Sequence, residues 1–266
     1  MNKSLSKIKE ECLDQVLRLH MKAHSGHIGS SLSCLDILVY LFFSQMQPSD
    51  KFVLSKGHAA ASLYTVLAKA GYISKKSLDS YYKDGTYLAA HPPCSDKVPG
   101  IIFGTGSLGH GLSLATGLAL ATKYSKKKYS VYCVISEGDC NEGSTWEAAL
   151  FAAHHQLSNL LVIIDHNNIQ AFGRSEDVLS LSPIGKKWQA FNFEVFEAKD
   201  GNDLRCIDET FKKVSLSKSK QPKMIIAHTV KGCGISFMEN KIEWHYLPMD
   251  DKQYQQAMEE VGEKYA

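Results

Sequence analysis

Two stretches of the chain repeat one pattern: a short apolar run rich in β-branched residues that stops abruptly at carboxylates and carboxamides. Val131 to Ser136 runs into Glu137, Gly138, Asp139, Cys140, Asn141 and Glu142, and Leu160 to Ile164 runs into Asp165, His166, Asn167 and Asn168. Unbroken apolar runs of this length fit parallel strands buried on both faces, and a site then lies beyond their carboxyl ends. Oxygen ligands delivered there suit a hard cation such as Mg²⁺ or Ca²⁺ holding a phosphorylated ligand.

The rest of the pattern alternates helix and strand. Leu5 to Ala23 reads as an amphipathic helix, with Ile8, Cys12, Leu13, Val16, Leu17 and Leu19 at near-helical spacing. His24 to Ser31 is small and polar; it reads either as a turn whose serines cap a following helix, Cys34 to Phe43, or as flexible backbone that brings a histidine to a ligand. Asp50 to Ser55 is a short strand, and Ala59 to Ala70 a helix closed by Gly71. His58 sits at the junction between them, as a cap or as a ligand near helix amides.

Tyr81 to Pro93 reads as a loop. Gly104 to Gly111 is a glycine-rich loop leading into the small-residue helix Leu112 to Ala121, with neither the preceding strand nor the P-loop lysine of a nucleotide fingerprint. Gly143 to Gln156 reads as a helix carrying Trp146, Ala149, Leu150 and Ala153 inward, and Ile169 to Ile184 as irregular. Trp188 to Ala198 contains a strand, Asn202 to Val214 is a helix, Lys223 to His228 a last strand, and Asp250 to Ala266 a polar surface helix. This alternation predicts an α/β fold: a mostly parallel sheet with helices on both faces, in one domain spanning 1–266.

Composition narrows the class without naming a function. The length of 266 residues and 44% hydrophobic content support a sizeable core. Thirty basic against 28 acidic residues leave no charge bias toward nucleic acid, and lysines such as Lys126 to Lys128 read as a solvated helix end. The seven cysteines (12, 34, 94, 133, 140, 206 and 233) are odd in number and form no Cys-x-x-Cys pair, which favours reduced thiols in a cytoplasmic protein. The polar N-terminus lacks the apolar run of a signal peptide, and the longest apolar run, Ile37 to Phe43, is too short for a membrane span of about 20 residues.

The acidic strand ends alone could be a surface turn with capping carboxylates. They occur, however, with several glycine turns and with His27, His58, His91 and His245, all just outside expected elements. The pieces Ser25-Gly26-His27, Ser55-Lys56-Gly57-His58-Ala59, His91-Pro92, Gly104 to Gly111, Glu142-Gly143 with Trp146-Glu147-Ala148, Asp165 to Ile169, and Lys231 to Gly234 with Trp244-His245 stand in a definite order. In that order they make the sequence resemble the N-terminal, diphosphate-binding part of transketolase over nearly the whole chain.

The resemblance implies transfer of a two-carbon ketol unit from a ketose to an aldose with thiamine diphosphate and a divalent cation, Mg²⁺ or in its place Ca²⁺ or Mn²⁺. It implies Glu137, Asn167 and the Ile169 carbonyl as metal ligands. His58 and His245 would contact the diphosphate, Gly106, Ser107 and Leu108 would lie beside the aminopyrimidine, and Gly138 would let the backbone pass close to the diphosphate. His27 and His91 would hydrogen-bond the donor sugar and relay protons, since a free histidine titrates near pH 6.5, and Glu142 would link two active sites across a subunit interface.

Two departures from the family pattern matter. Ser136-Glu137-Gly138 stands where the family has Gly-Asp-Gly; anchoring on Glu142-Gly143 puts Glu137 in the metal position, whereas a shorter loop would put Asp139 there. The pyrimidine-binding and C-terminal domains are also absent, which implies a second polypeptide supplying them, two copies of each making an α2β2 assembly, and a natural chain from Met1 onward. The sugar, expected to be phosphorylated, would be gripped mainly by that other chain. The alternatives are one component of a related thiamine-diphosphate ketol synthase, or a non-catalytic scaffold of the same fold; His27 and His91 favour a hydroxylated donor over pyruvate.

Overall fold

The two apolar runs form the middle of a five-stranded, all-parallel sheet of order β1-β2-β3-β5-β4. The structure is a computed structural model describing residues 3–93 and 96–265; Cys94 lies outside the described residues. The strands are β1 (Lys51–Leu54), β2 (Val131–Ser136), β3 (Leu160–His166), β4 (Glu194–Ala198) and β5 (Lys223–His228). Strand alternation sorts their side chains between two cores. Val131, Cys133, Ile135, Leu160, Val162 and Ile164 enter one, and Tyr132, Val134, Leu161 and Ile163 the other.

Helices cover both faces, as the apolar strands require. On one side α6 (His110–Tyr124), α7 (Gly143–His154) and α9 (Ile184–Ala190) bury Leu112, Ala149 and Trp188. On the other lie α1 (Lys3–Ala23), α2 (Ile28–Ser33), α3 (Leu35–Tyr40), α4 (Ala60–Lys69), α10 (Leu204–Leu216) and α11 (Asp251–Tyr265). Two short helices, α5 (Lys75–Leu78) and α8 (Ser175–Leu179), sit in connections. Gly71, at φ +82°, closes the α4 end as expected, its amide bonding the Ala68 carbonyl at 3.1 Å.

Three expectations need correction. Leu150 is 59% exposed, because α7 buries the stripe Thr145, Ala148, Ala149, Ala152 and Ala153 and a residue one step past Ala149 lies about 100° round the helix. The segment after His27 is helical at once. Ser30 and Ser31 are buried inside α2 rather than capping a helix at Cys34, and the apolar stretch beyond ends in a π-turn, Leu41–Gln45. The segment 169–184, expected to be irregular, contains α8. The strand expected within 188–198 is present as Glu194–Ala198, with Trp188 in α9 at 0% exposure.

Candidate functional site

The carboxyl ends of β1, β2, β3 and β5 close over a buried polar floor. Asp165, at 0% exposure, pairs with Lys56 Nζ, and it accepts from Ser33 Oγ at 2.6 Å and from Thr229 Oγ1. Lys56 Nζ also donates to the Ser30 carbonyl at 3.0 Å. Burial alone would discharge both groups, but each holds the other: Lys56 keeps its pKa above the ordinary value and Asp165 below. Asn167 Nδ2 turns toward this carboxylate, 3.3 Å away, which leaves Asn167 Oδ1 to the Ile169 amide at 3.1 Å.

A second carboxylate closes the other side. Asp139 is fully buried and accepts four hydrogen bonds, from Ser55 Oγ (2.6 Å), Gly109 N (2.8 Å), and Ser136 N and Oγ (2.7 Å each). Four donors fill its four lone-pair positions, so Asp139 clasps β1, the glycine loop and the β2 end together. The clasp needs Gly109, which stands at φ +81° where a Cβ would meet Glu142 Cβ at 2.5 Å. Glu137 differs from it. It is 3% exposed, its Oε2 accepts from Asn168 N at 2.6 Å, and its Oε1 lies 2.8 Å from His166 Nδ1 without being aligned as a hydrogen bond. Burial lowers the pKa of His166, but Glu137, with Asp165 and Glu197, more than reverses this and raises it.

Above the floor opens a cavity of about 500 Å³. Its wall brings together His27, His58, His91, His245, Gly106, Leu108, Glu137, Gly138, Glu142, Asn167 and Ile169. Ser107 is exposed and stays out of the lining, as does Asp139. His27 lies 4.9 Å from His245, 5.6 Å from His58 and 5.9 Å from His91 between ring centroids. Its backbone takes φ +67°, with its amide on the His245 carbonyl at 3.0 Å, and its Nδ1 is buried without a partner. Gly138 passes so close to the loop that a Cβ would meet Leu108 Cδ1 at 2.9 Å.

Burial holds the histidines of this wall neutral, beside two buried lysines. Burial, then His91 and Lys231, lower the pKa of His27 to about 4; burial, then Lys231, lower that of His245 to about 3; His58 is pushed well down by burial and Lys56, and His91 is lowered by burial. Lys231 is itself brought down to about 7 by burial and by Lys56. Its Nζ stands 3.1 Å from His245 Nδ1 and 3.4 Å from the Ile169 carbonyl. Lys231 and Lys56 are the residues to which sequence reasoning assigned no role, although both lie within the motifs. Their signal was a lysine directly beside a glycine just past a strand end.

Comparison with known proteins agrees with this geometry. Residues 2–266 match the family described as transketolase, thiamine diphosphate binding domain. One of the subunits of the apulose-4-phosphate transketolase of Phocaeicola vulgatus is 38% identical over 259 residues, covering 94% of this chain and 91% of its own. The 6-deoxy-6-sulfo-D-fructose transketolase subunit SqwG of Clostridium sp. is 36% identical over 252 residues, covering 91% of this chain and 90% of its own. The crystal structure of transketolase from Campylobacter jejuni superposes with a TM-score of 0.89 at 28% identity, over 98% of this chain. This chain spans only 43% of the length of that one. With a family match over residues 2–266 and relatives above 30% identity over 90–91% of their length, the chain belongs to the transketolase thiamine-diphosphate-binding-domain family.

Proposed function

We propose that this chain is the diphosphate-binding subunit of a two-component transketolase, transferring a two-carbon ketol unit from a ketose to an aldose. One observation carries the reading. Two adjacent strand ends bring Glu137, Asn167 and Ile169 to the same cavity wall as four histidines whose pKa values are all lowered. The subunit names of relatives covered over about nine-tenths of their length support a second polypeptide; to it we assign the pyrimidine-binding and C-terminal domains, in an α2β2 complex.

The residues fit the cofactor and its cation. No group of three or more His, Cys, Asp or Glu among the described residues could hold a metal. A cation here therefore relies on the Glu137 carboxylate, the Asn167 amide oxygen, the Ile169 carbonyl and the oxygens of a bound diphosphate. That set is the one Mg²⁺ accepts, and Ca²⁺ or Mn²⁺ in its place. Asp139, with all four acceptor positions used, is the poorer candidate. The cavity has the size of a cofactor site, and the unpartnered His27 Nδ1 offers a ligand a hydrogen bond.

When bound, thiamine diphosphate supplies the carbanion chemistry of ketol transfer, and the protein orients the reactants and moves protons. His58 and His245 would contact the diphosphate, with Lys231 beside His245. Gly138 would let the backbone pass close to it, and Gly106 and Leu108 would lie beside the aminopyrimidine. His27 and His91, held neutral by burial, can each accept or donate a proton at a ring nitrogen and so hold the hydroxyl and carbonyl oxygens of a phosphorylated sugar. To Glu142, exposed and lining the cavity, we assign the link to a second active site across a subunit interface.

We assign the protein to the cytoplasm. The six described cysteines are free, and no helix among the described residues is long and apolar enough to cross a membrane.

Three outcomes test this reading. Calorimetric titration with thiamine diphosphate and Mg²⁺ will show cation-dependent binding that Glu137→Ala weakens by about 100-fold or more, the ~3 kcal/mol of one charged contact. Circular dichroism will show that variant folded, and wild-type-like binding by it would move the ligand role to Asp139. In a coupled assay the purified chain will show no ketol transfer until its partner is added, and turnover by the chain alone contradicts the two-component account. The third outcome concerns pH. The buried histidines take up protons near pH 6.5 when unfolded but near pH 3 to 4 when folded, so the unfolded chain binds more protons in between. Their stabilisation is complete above about pH 6.5 and is lost as the pH falls toward 4. Melting temperatures of the cofactor-free chain will fall from pH 7 to pH 5; a flat profile would show that these histidines are accessible to protons in the folded state.

A further inference from the structure

Glu137 stands in the wall between two cavities. In front is the cavity of about 500 Å³; behind lies one of about 200 Å³, lined by His166, Asn168, Ser175 and Glu176 among others, and Glu137 is the residue that the two linings share. Both groups that touch its carboxylate belong to the rear cavity: Asn168 N at 2.6 Å from Oε2 and His166 Nδ1 at 2.8 Å from Oε1. Neither lines the front one.

His166 is placed there by the strand itself. Successive side chains on β3 point to opposite faces. Asp165 goes to the Lys56 floor, and His166, paired in register with His228 on β5, goes to the other side, where the two rings lie 5.2 Å apart. A glutamate at this position has one more rotatable bond than an aspartate and reaches about 1.5 Å further, one carbon–carbon bond length. Left free, the longer arm could swing its carboxylate or offer both oxygens to a cation.

We propose that His166 is a positioning residue that braces the Glu137 carboxylate from behind, so that a glutamate at this strand end is held in one orientation toward the cation of the front cavity. The inference rests on the functional reading above and deepens it into metal preference. Mg²⁺ requires near-octahedral geometry and tolerates misplacement poorly, whereas Ca²⁺ accepts flexible shells and bidentate carboxylates. A carboxylate held in one orientation therefore favours Mg²⁺ over Ca²⁺.

The test is calorimetric titration of the full chain with Mg²⁺ and, separately, Ca²⁺, with thiamine diphosphate in excess. His166→Ala is expected to weaken Mg²⁺ binding by about 10- to 100-fold, the range for lost partners of metal ligands, and Ca²⁺ binding by less. His166→Asn, whose amide nitrogen stands near the place of Nδ1, is expected to retain most of the Mg²⁺ affinity. In a Glu137→Asp background, where the shorter carboxylate no longer reaches Nδ1, His166→Ala is expected to change nothing further. Unchanged Mg²⁺ affinity in His166→Ala, or an equal loss in the Glu137→Asp background, overturns the inference. If His166→Ala does not fold, the comparison of His166→Asn with wild type decides, and an unchanged Mg²⁺-to-Ca²⁺ preference together with a full loss of Mg²⁺ affinity counts against the brace. A wild-type chain that takes up neither cation with thiamine diphosphate overturns the functional reading itself, an outcome distinct from a failure of the brace alone.

Discussion

The buried ion pair between Lys56 and Asp165 is the constraint from which the site follows. It joins the ends of β1 and β3, and through Ser33, Ser30 and Thr229 it also holds α2 and the segment after β5. A buried pair is a weak source of net stability, because desolvation offsets most of the attraction. Breaking it would leave an uncompensated charge, so it fixes geometry. It sets the orientation of the Asn167 amide, and its lysine helps lower the pKa values of Lys231, His58 and His245. One interaction thus builds the floor of the cavity and helps keep the histidines of its wall neutral.

The division of labour between neighbouring carboxylates follows the same logic. Asp139 is consumed by structure: with four donors upon it, it can release none without opening the junction of β1, β2 and the glycine loop. Glu137, two residues earlier, has one oxygen on Asn168 N and the other against His166 without an aligned hydrogen bond. Sequence position alone left both open, because the two acids lie only two residues apart. Hydrogen-bond saturation is the ground on which we propose Glu137 over Asp139.

What was legible in the sequence were features with a strong local cause. The strands β2, β3 and β5 announce themselves because burial on both faces demands unbroken apolar runs. The four cavity histidines were marked by their place just outside expected elements. Phase within an alanine-rich helix was not legible. In α7 the buried stripe is made of Ala148, Ala149, Ala152 and Ala153, which are small wherever they face, so Leu150 read as an anchor although it is exposed. The helical start at Ile28 was hidden because buried serines, normally capping residues, are satisfied by tertiary partners: Ser31 by His20 at 3.0 Å and Ser30 by Lys231 at 3.2 Å. His166 was hidden for a related reason. Its role depends on which strands lie side by side, and β5 between β3 and β4 is a topological fact that no local pattern carries.

The central claim is that the two strand ends hold a divalent cation through Glu137, Asn167 and the Ile169 carbonyl. Anomalous diffraction from crystals of the chain grown with thiamine diphosphate and Mn²⁺ tests it most directly. The account predicts one strong peak within reach of those three oxygens and the diphosphate. A peak at Asp139, or none in the cavity, would contradict it.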